Sequence, residues 1–179
     1  MLFGDRLEYL ILKIIAIMKI NKKMQDAFNA QIKEELYASH LYLQMAFWFS
    51  KEGWNGFAGW MGKQSHEEKE HAMDMAKFLV DRGGEVLLTD IPSVQTSWDS
   101  PTDVFKDAMA HEEHVSAQIE KLANVADEVK DRAAANFCAK YVDEQVEEEK
   151  TMRDILTLFE HSGGAGLALI DHIVGEGRK

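Results

Sequence analysis

The chain has 179 residues, 46% of them hydrophobic, with 12 glycines and 2 prolines; this suffices for one helical domain with a sizeable core and argues against a turn-rich β fold. A formal charge of −11, from 31 acidic and 20 basic residues, disfavours nucleic acid and anionic membranes as partners and attracts cations. The single cysteine, Cys138, excludes an intrachain disulfide framework and fits a reducing cytoplasm.

Residues 1–18 form an N-terminal extension without an assigned role. Leu10 to Met18 read LILKIIAIM, an apolar run broken by Lys13 and too short to span a bilayer. Asp5, Arg6 and Glu8 precede it and no small-x-small cleavage site follows, so it is a poor signal peptide. Met18 opens MKINKKM and offers an alternative start.

Residues 19–162 carry four long stretches of helical periodicity. The first spans about Asn21 to Lys51 and stops at Gly53. The second is expected to start behind Asn55 as N-cap and to stop at Gly83-Gly84. The third opens on Ser100-Pro101-Thr102-Asp103, with serine at the cap, proline at the first helical position and an acid in the first turn. The fourth runs from about Glu128 to His161 and ends at Gly163-Gly164. In the final segment, residues 163–179, Ala165 to Val174 make a short apolar fifth helix.

Short connections make each pair of long helices an antiparallel hairpin. The middle link, Glu85 to Asp99, contains Pro92 and no helical pattern. Extended, it reaches about 50 Å against a second helix of about 40 Å, so it can run the length of the bundle. The expected fold is therefore all-α: a four-helix bundle with one long crossover and a short fifth helix.

The apolar stripe of each helix is interrupted near its middle by an acid. The first passes Phe28, Ile32, Glu35, Ser39, Tyr42 or Leu43, Ala46 and Phe49; the second passes Phe57, Met61, Gln64, Glu68, His71, Met75 and Phe78. The third passes Phe105, Ala108, Glu112, Val115, Ile119 and Leu122; the fourth passes Phe137, Tyr141, Gln145, Glu148, Met152, Ile155 and Phe159. A buried ionised carboxylate costs several kcal/mol unless it is paired or bound to a cation. The stripes offer no lysine or arginine near these positions, so metal ions are the economical counter-charge. Glu68 and His71, at i and i+3, project toward one point. Oxygen-rich ligation with one imidazole suits iron or manganese better than structural zinc.

Taken singly, these signals are ordinary. Glu-x-x-His is common on solvated faces, His66, His111 and His114 read as surface or bundle-end residues, and Tyr42 reads as core. The acidic run Glu144 to Glu149 resembles a wet face, with Glu149 outside and Glu148 turned inward beside Gln145. Four interrupted stripes at one depth carry the reading.

In order and spacing, EELYASHLYLQM (34–45), HEEKEHAM (66–73), HEEHV (111–115) and YVDEQVEEEK (141–150) resemble the prokaryotic non-haem ferritins, from about Lys19 to Gly175. The resemblance implies a ferritin-like bundle in an octahedral homo-oligomer of about 24 subunits that oxidises Fe(II) with O2 or H2O2 and stores the ferric mineral. It implies Glu35, Glu68 and His71 as ligands of the first iron, and Glu68, Glu112 and Glu148 as ligands of the second, with Gln145 nearby. Glu67, Glu144, Glu147 and Glu148 resemble an accessory third iron site on the inner side. Tyr42 matches the tyrosine beside the centre, and the fifth helix matches the one lining the four-fold axis. Gln145-x-x-Glu148 departs from the second Glu-x-x-His of bacterioferritins, and Lys69 stands where their haem-binding methionine would follow Glu68, so no haem is expected. Asp127, Glu128 and Asp131 are candidates for an acidic three-fold pore. Two other readings stay open: a bundle whose stripes form a partner interface, and a two-iron oxygenase or peroxide reductase that stores nothing.

Overall fold

The computed structural model describes residues 19–162 and 166–177. The N-terminal extension, residues 1–18, and the expected stop at Gly163-Gly164 lie outside the described residues. Five helices and no strands are present among those described: α1 (Lys22–Glu52), α2 (Asn55–Asp81), α3 (Pro101–Glu128), α4 (Arg132–Ser162) and α5 (Leu167–Gly177).

Local chemistry fixes most ends. The Asn21 side chain accepts the Lys23 N–H at 2.8 Å and starts α1; Gly53, at φ 87°, ends it by adopting the left-handed conformation that suits glycine. Ser100 accepts the Asp103 N–H at 3.2 Å, with Pro101 at the first position of α3.

Two ends differ from expectation. Asn55 is the first residue of α2 rather than its cap; Trp54 precedes it and makes no side-chain capping bond. The cap comes from α5, whose Asp171 carboxylate accepts the N–H groups of Gly56 at 3.2 Å and Phe57 at 2.7 Å. α4 begins at Arg132 rather than near Glu128, because α3 itself continues to Glu128 and a tight turn follows. In that turn Lys130 takes a positive φ of 56°, and Asp131 accepts the Ala134 N–H at 3.1 Å. Arg82 donates to both oxygens of the same carboxylate, at 3.0 and 2.9 Å, joining the far ends of the two hairpins.

α1 and α2 form one antiparallel hairpin, α3 and α4 the other. The link between them runs along α1. Near its start the Glu85 N–H donates to Gln25 Oε1 at 3.0 Å and the Leu87 N–H to Asn29 Oδ1 at 2.7 Å. Near its end Trp98 packs edge-on against Trp48, with ring centroids 5.9 Å apart, and its indole N–H donates to Asp107 at 2.7 Å. The link therefore begins beside the start of α1 and finishes beside its end, which makes α2 and α3 parallel.

The core is two apolar clusters rather than one. At one end Tyr42, Phe49, Phe57, Trp60, Phe105 and Phe159 pack with Ile170 and Val174 of α5. At the other, Met24, Phe28, Met75, Leu79, Ile119 and Leu122 surround Cys138. Burying each large side chain contributes about 1.5–3 kcal/mol. Buried polar residues contributed by all four long helices lie along the stripes between the two clusters.

Candidate metal centre

Each long helix sends one carboxylate into this polar layer. Glu112 is 0% exposed, Glu35 1%, Glu68 3% and Glu148 7%. Helical spacing explains how they get there. Glu35 follows Ile32 by three residues, Glu112 precedes Val115 by three, and Glu148 precedes Met152 by four, so each shares a face with buried apolar neighbours. Tyr42 is fully buried while Leu43 is exposed, so Tyr42 is the stripe member of α1. Among the described residues, the buried polar and charged set holds no lysine or arginine. Among the described residues the acids are therefore enclosed with no lysine or arginine beside them, and His71 is the imidazole nearest Glu68.

Glu35, Glu68 and His71 converge most closely: one ligand atom from each lies within 4.8 Å of the other two. His71 Nδ1 is 3.4 Å from Glu68 Oε2, and its Nε2 is 3.7 Å from Glu144 Oε1. Gln31 donates to Glu35 Oε1 at 2.9 Å, whereas the buried Glu35 Oε2 has no hydrogen-bond partner. Glu112 accepts from the Tyr42 hydroxyl and, at 3.0 Å, from Gln145 Nε2. Gln64 Nε2 lies 3.4 Å from Glu148 Oε2.

Electrostatics follow from this enclosure. Burial, reinforced by the charge of Glu68, holds the Glu35 carboxyl well above the usual carboxylate range. Burial and the Glu112 charge do the same to Glu68. Burial also raises Glu112, against the opposing hydrogen bonds from Tyr42 and Gln145. The Tyr42 hydroxyl is pushed up by burial and then by Glu112. A set of buried acids that resist ionisation, one with an orphaned oxygen, fits divalent cations of the hard or borderline type, which would supply the missing charge and coordinate the free oxygens.

The accessory residues are arranged differently. Glu144 is half-buried, Glu67 is half-buried, and Glu147 is exposed. Glu144 Oε2 is buried without a hydrogen-bond partner. Of the expected pore acids, Asp131 is engaged with Arg82 and the start of α4, and Glu128 pairs with Lys23 at 2.5 Å. Asp127 enters the turn through its backbone, its carbonyl accepting the Lys130 N–H at 3.1 Å.

His66 and His114 are exposed, as expected, but His111 is not: it is 7% exposed. Its ring lies 5.7 Å from Tyr37 and 6.3 Å from Tyr42, and burial, with the neighbouring His114, lowers it to about 4. The spacing already signals this, since His111 follows buried Ala108 by three residues and precedes buried Val115 by four. Gln31 was equally legible, one turn before Glu35 at i and i+4. Gln64 and Tyr141 lie on the stripes without an expected role; in the structure Gln64 faces Glu148, and Tyr141 meets His71 edge-on at 5.3 Å.

A four-helix bundle with one long crossover, enclosing a carboxylate and imidazole cluster in its middle, is a ferritin-like bundle. The family described as ferritin-like domain matches residues 25–162. A bacterial non-heme ferritin from Bacteroides fragilis is 43% identical over 157 residues, covering 88% of this chain and 99% of that relative. A bacterial non-heme ferritin from Staphylococcus saprophyticus is 36% identical over 130 residues, covering 73% and 78%. Among solved structures, an open pore ferritin from the archaeon Archaeoglobus fulgidus superposes with a TM-score of 0.86 at 38% identity, covering 89% of this chain and 98% of that one. The chain belongs to the ferritin family.

Proposed function

We propose that this protein oxidises Fe(II) at a two-iron centre within each bundle and stores the ferric product inside a hollow homo-oligomeric shell. The observation that carries the reading is the enclosure of Glu35, Glu68, Glu112 and Glu148 without a buried lysine or arginine among the described residues. Membership of the ferritin family supports iron handling as the general role.

Iron is the substrate. Fe(II) is drawn to the negative protein and enters as a pair, one ion held by Glu35, Glu68 and His71 and the other by Glu68, Glu112 and Glu148. Binding displaces the protons that burial favours on these carboxyls, so each ion that enters releases protons. Each Fe(II) then gives up one electron. The pair reduces O2 with two protons to H2O2, or H2O2 with two protons to two waters. Glutamates suit this step because they can offer one oxygen or both as the ion's charge changes. Gln145, neutral and donating to Glu112, adds no further charge to hold the ferric product. Glu67, Glu144, Glu147 and Glu148 form an accessory third-ion position on the way inward. The shell has about 24 subunits in octahedral symmetry, and α5 lines its four-fold axis. No haem takes part. The proposed location is the cytoplasm, whose reducing conditions suit the buried free thiol of Cys138.

The test is the double variant E68A/H71A, followed by stopped-flow absorbance, particle size and iron retained per subunit. Loss of rapid oxidation with a large particle preserved is expected. Unchanged kinetics overturn the centre. A wild-type protein that oxidises iron but retains only two or three ions per subunit is a non-storing oxidase.

A further inference from the structure

We propose that Glu144 is a positioning residue for His71, and that it links the accessory third-ion position to the first-ion position through the imidazole ring. The inference rests on the ligand assignments made above for Glu35, Glu68 and His71 and for Glu67, Glu144 and Glu147.

The two ring nitrogens of His71 look in different directions. Nδ1 faces the centre, 3.4 Å from Glu68 Oε2, while Nε2 faces Glu144 Oε1 at 3.7 Å. Tyr141 meets the ring at 5.3 Å and 85°, edge to face, which restricts its rotation. The imidazole is thus held between a carboxylate of the centre, a carboxylate outside it and an aromatic wall. If Nδ1 carries the ion, the ring proton sits on Nε2, and the group facing that proton is Glu144. A carboxylate accepting the far N–H of a ligand histidine fixes its tautomer and makes the ligating nitrogen more basic.

The 3.7 Å separation is longer than a hydrogen bond, and a small movement of the Glu144 side chain would close it. Glu144 has room to make it. Its side chain is 32% exposed, and its second oxygen, Oε2, is buried with no hydrogen-bond partner. One oxygen therefore addresses His71 while the other remains available to an ion. Glu147, three residues further along the helix and exposed, has no such contact with the imidazole. An ion at the accessory position draws on the same carboxylate that steadies His71, so the two positions cannot be independent.

The experiment uses the full-length assembled protein, stripped of metal and titrated with Co(II) without oxygen, followed by calorimetry and by the ligand-field absorbance of bound Co(II). E144Q, E144D and D143N are compared with wild type. E144Q is expected to weaken the tightest ion about tenfold, within the roughly 10–100-fold range for partners of a ligand histidine, and to change its absorbance. E144D is expected to recover part of both. D143N, at an exposed neighbour on the same helix, is expected to leave the tightest ion, its spectrum and the third ion unchanged. Identical behaviour of E144Q and D143N at the tightest ion overturns the positioning role. A weakened tightest ion in E144Q with the third ion retained upholds that role and overturns the accessory position. A wild-type protein holding no tight Co(II) overturns the assignment of the centre, and this inference with it.

Discussion

Asp171 of α5 accepts the backbone N–H of Phe57 at 2.7 Å and so caps α2 from a residue 114 positions away. The same carboxylate takes the Gly56 N–H at 3.2 Å. The helices approach so closely that a Cβ on Gly56 would fall 1.9 Å from the Asp171 carbonyl oxygen, a backbone atom that cannot rotate away. D171A removes an acceptor for two helix-start donors and is expected to cost about 0.5–2 kcal/mol, the usual range for losing a cap. D171N, which keeps one side-chain oxygen, should lose less. G56A should release α5 from the bundle altogether, since the backbones must separate. Urea denaturation of the three variants checks the order; D171A as stable as wild type means the cap contributes nothing.

A second prediction concerns pH. Glu35, Glu68 and Glu112 have folded-state values raised above their unfolded ones, chiefly by burial. Raised acids favour the folded state below the ordinary carboxylate value and lose that contribution as pH rises through the raised value. Asp131 works in the opposite sense: Arg82 and the α4 N–H groups lower it against burial, so its contribution is lost as pH falls through its folded value. The metal-free protein should therefore gain stability on moving from mildly alkaline to mildly acidic pH, before acid unfolding sets in. The double variant E35Q/E68Q, which cannot ionise there, should show a flatter profile. Thermal midpoints of metal-free wild type and variant across that range provide the check, and parallel profiles would show that these two acids do not govern it.

The features legible in the sequence are those written in local spacing. Ser100-Pro101 announces α3, and the 3.6-residue period brings Glu35, Glu68, Glu112 and Glu148 inward because each follows or precedes buried apolar residues on its own helix. The misplacements arise where tertiary contacts decide. Asn55 has the side chain of a good cap, but Asp171 occupies that role from another helix, and no local rule connects the two. The start of α4 is set by a turn whose Asp131 is fixed by Arg82, again a contact between hairpins. His111 is a different case. Its spacing pointed inward, but histidine is polar enough to suggest the surface, and only the packing of Tyr37 and Tyr42 around it shows that it is enclosed.

Tyr42 donates its hydroxyl proton to Glu112 deep in the polar layer. Y42F fills the same space and removes only that donor. In the metal-free protein, Glu112 keeps its bond from Gln145 and loses the other, a change expected to cost about 1–3 kcal/mol because the acceptor is buried. Iron binding should soften the loss, since an ion can satisfy the oxygen that Tyr42 leaves. The expected result is a larger drop in thermal midpoint without metal than with Zn(II) bound. An equal drop in both forms would mean that the hydroxyl matters to packing rather than to the carboxylate.

Gln145 donates through Nε2 to Glu112 at 3.0 Å, and its neutrality limits the negative charge gathered in the layer. Q145E replaces a donor with an acid of nearly the same shape. In the metal-free protein the new carboxyl faces Glu112 with no hydrogen to offer unless one of them is protonated, so stability should fall at neutral pH and recover on acidification. With metal the sign reverses, because an added carboxylate strengthens binding of a trivalent ion more than of a divalent one. The first burst of Fe(II) oxidation should survive while later turnovers slow, as the ferric product leaves less readily. Successive additions of Fe(II) in stopped flow, two ions per subunit each time, separate these phases. A variant that repeats its first burst as readily as wild type would show that the neutral amide at position 145 does not assist release.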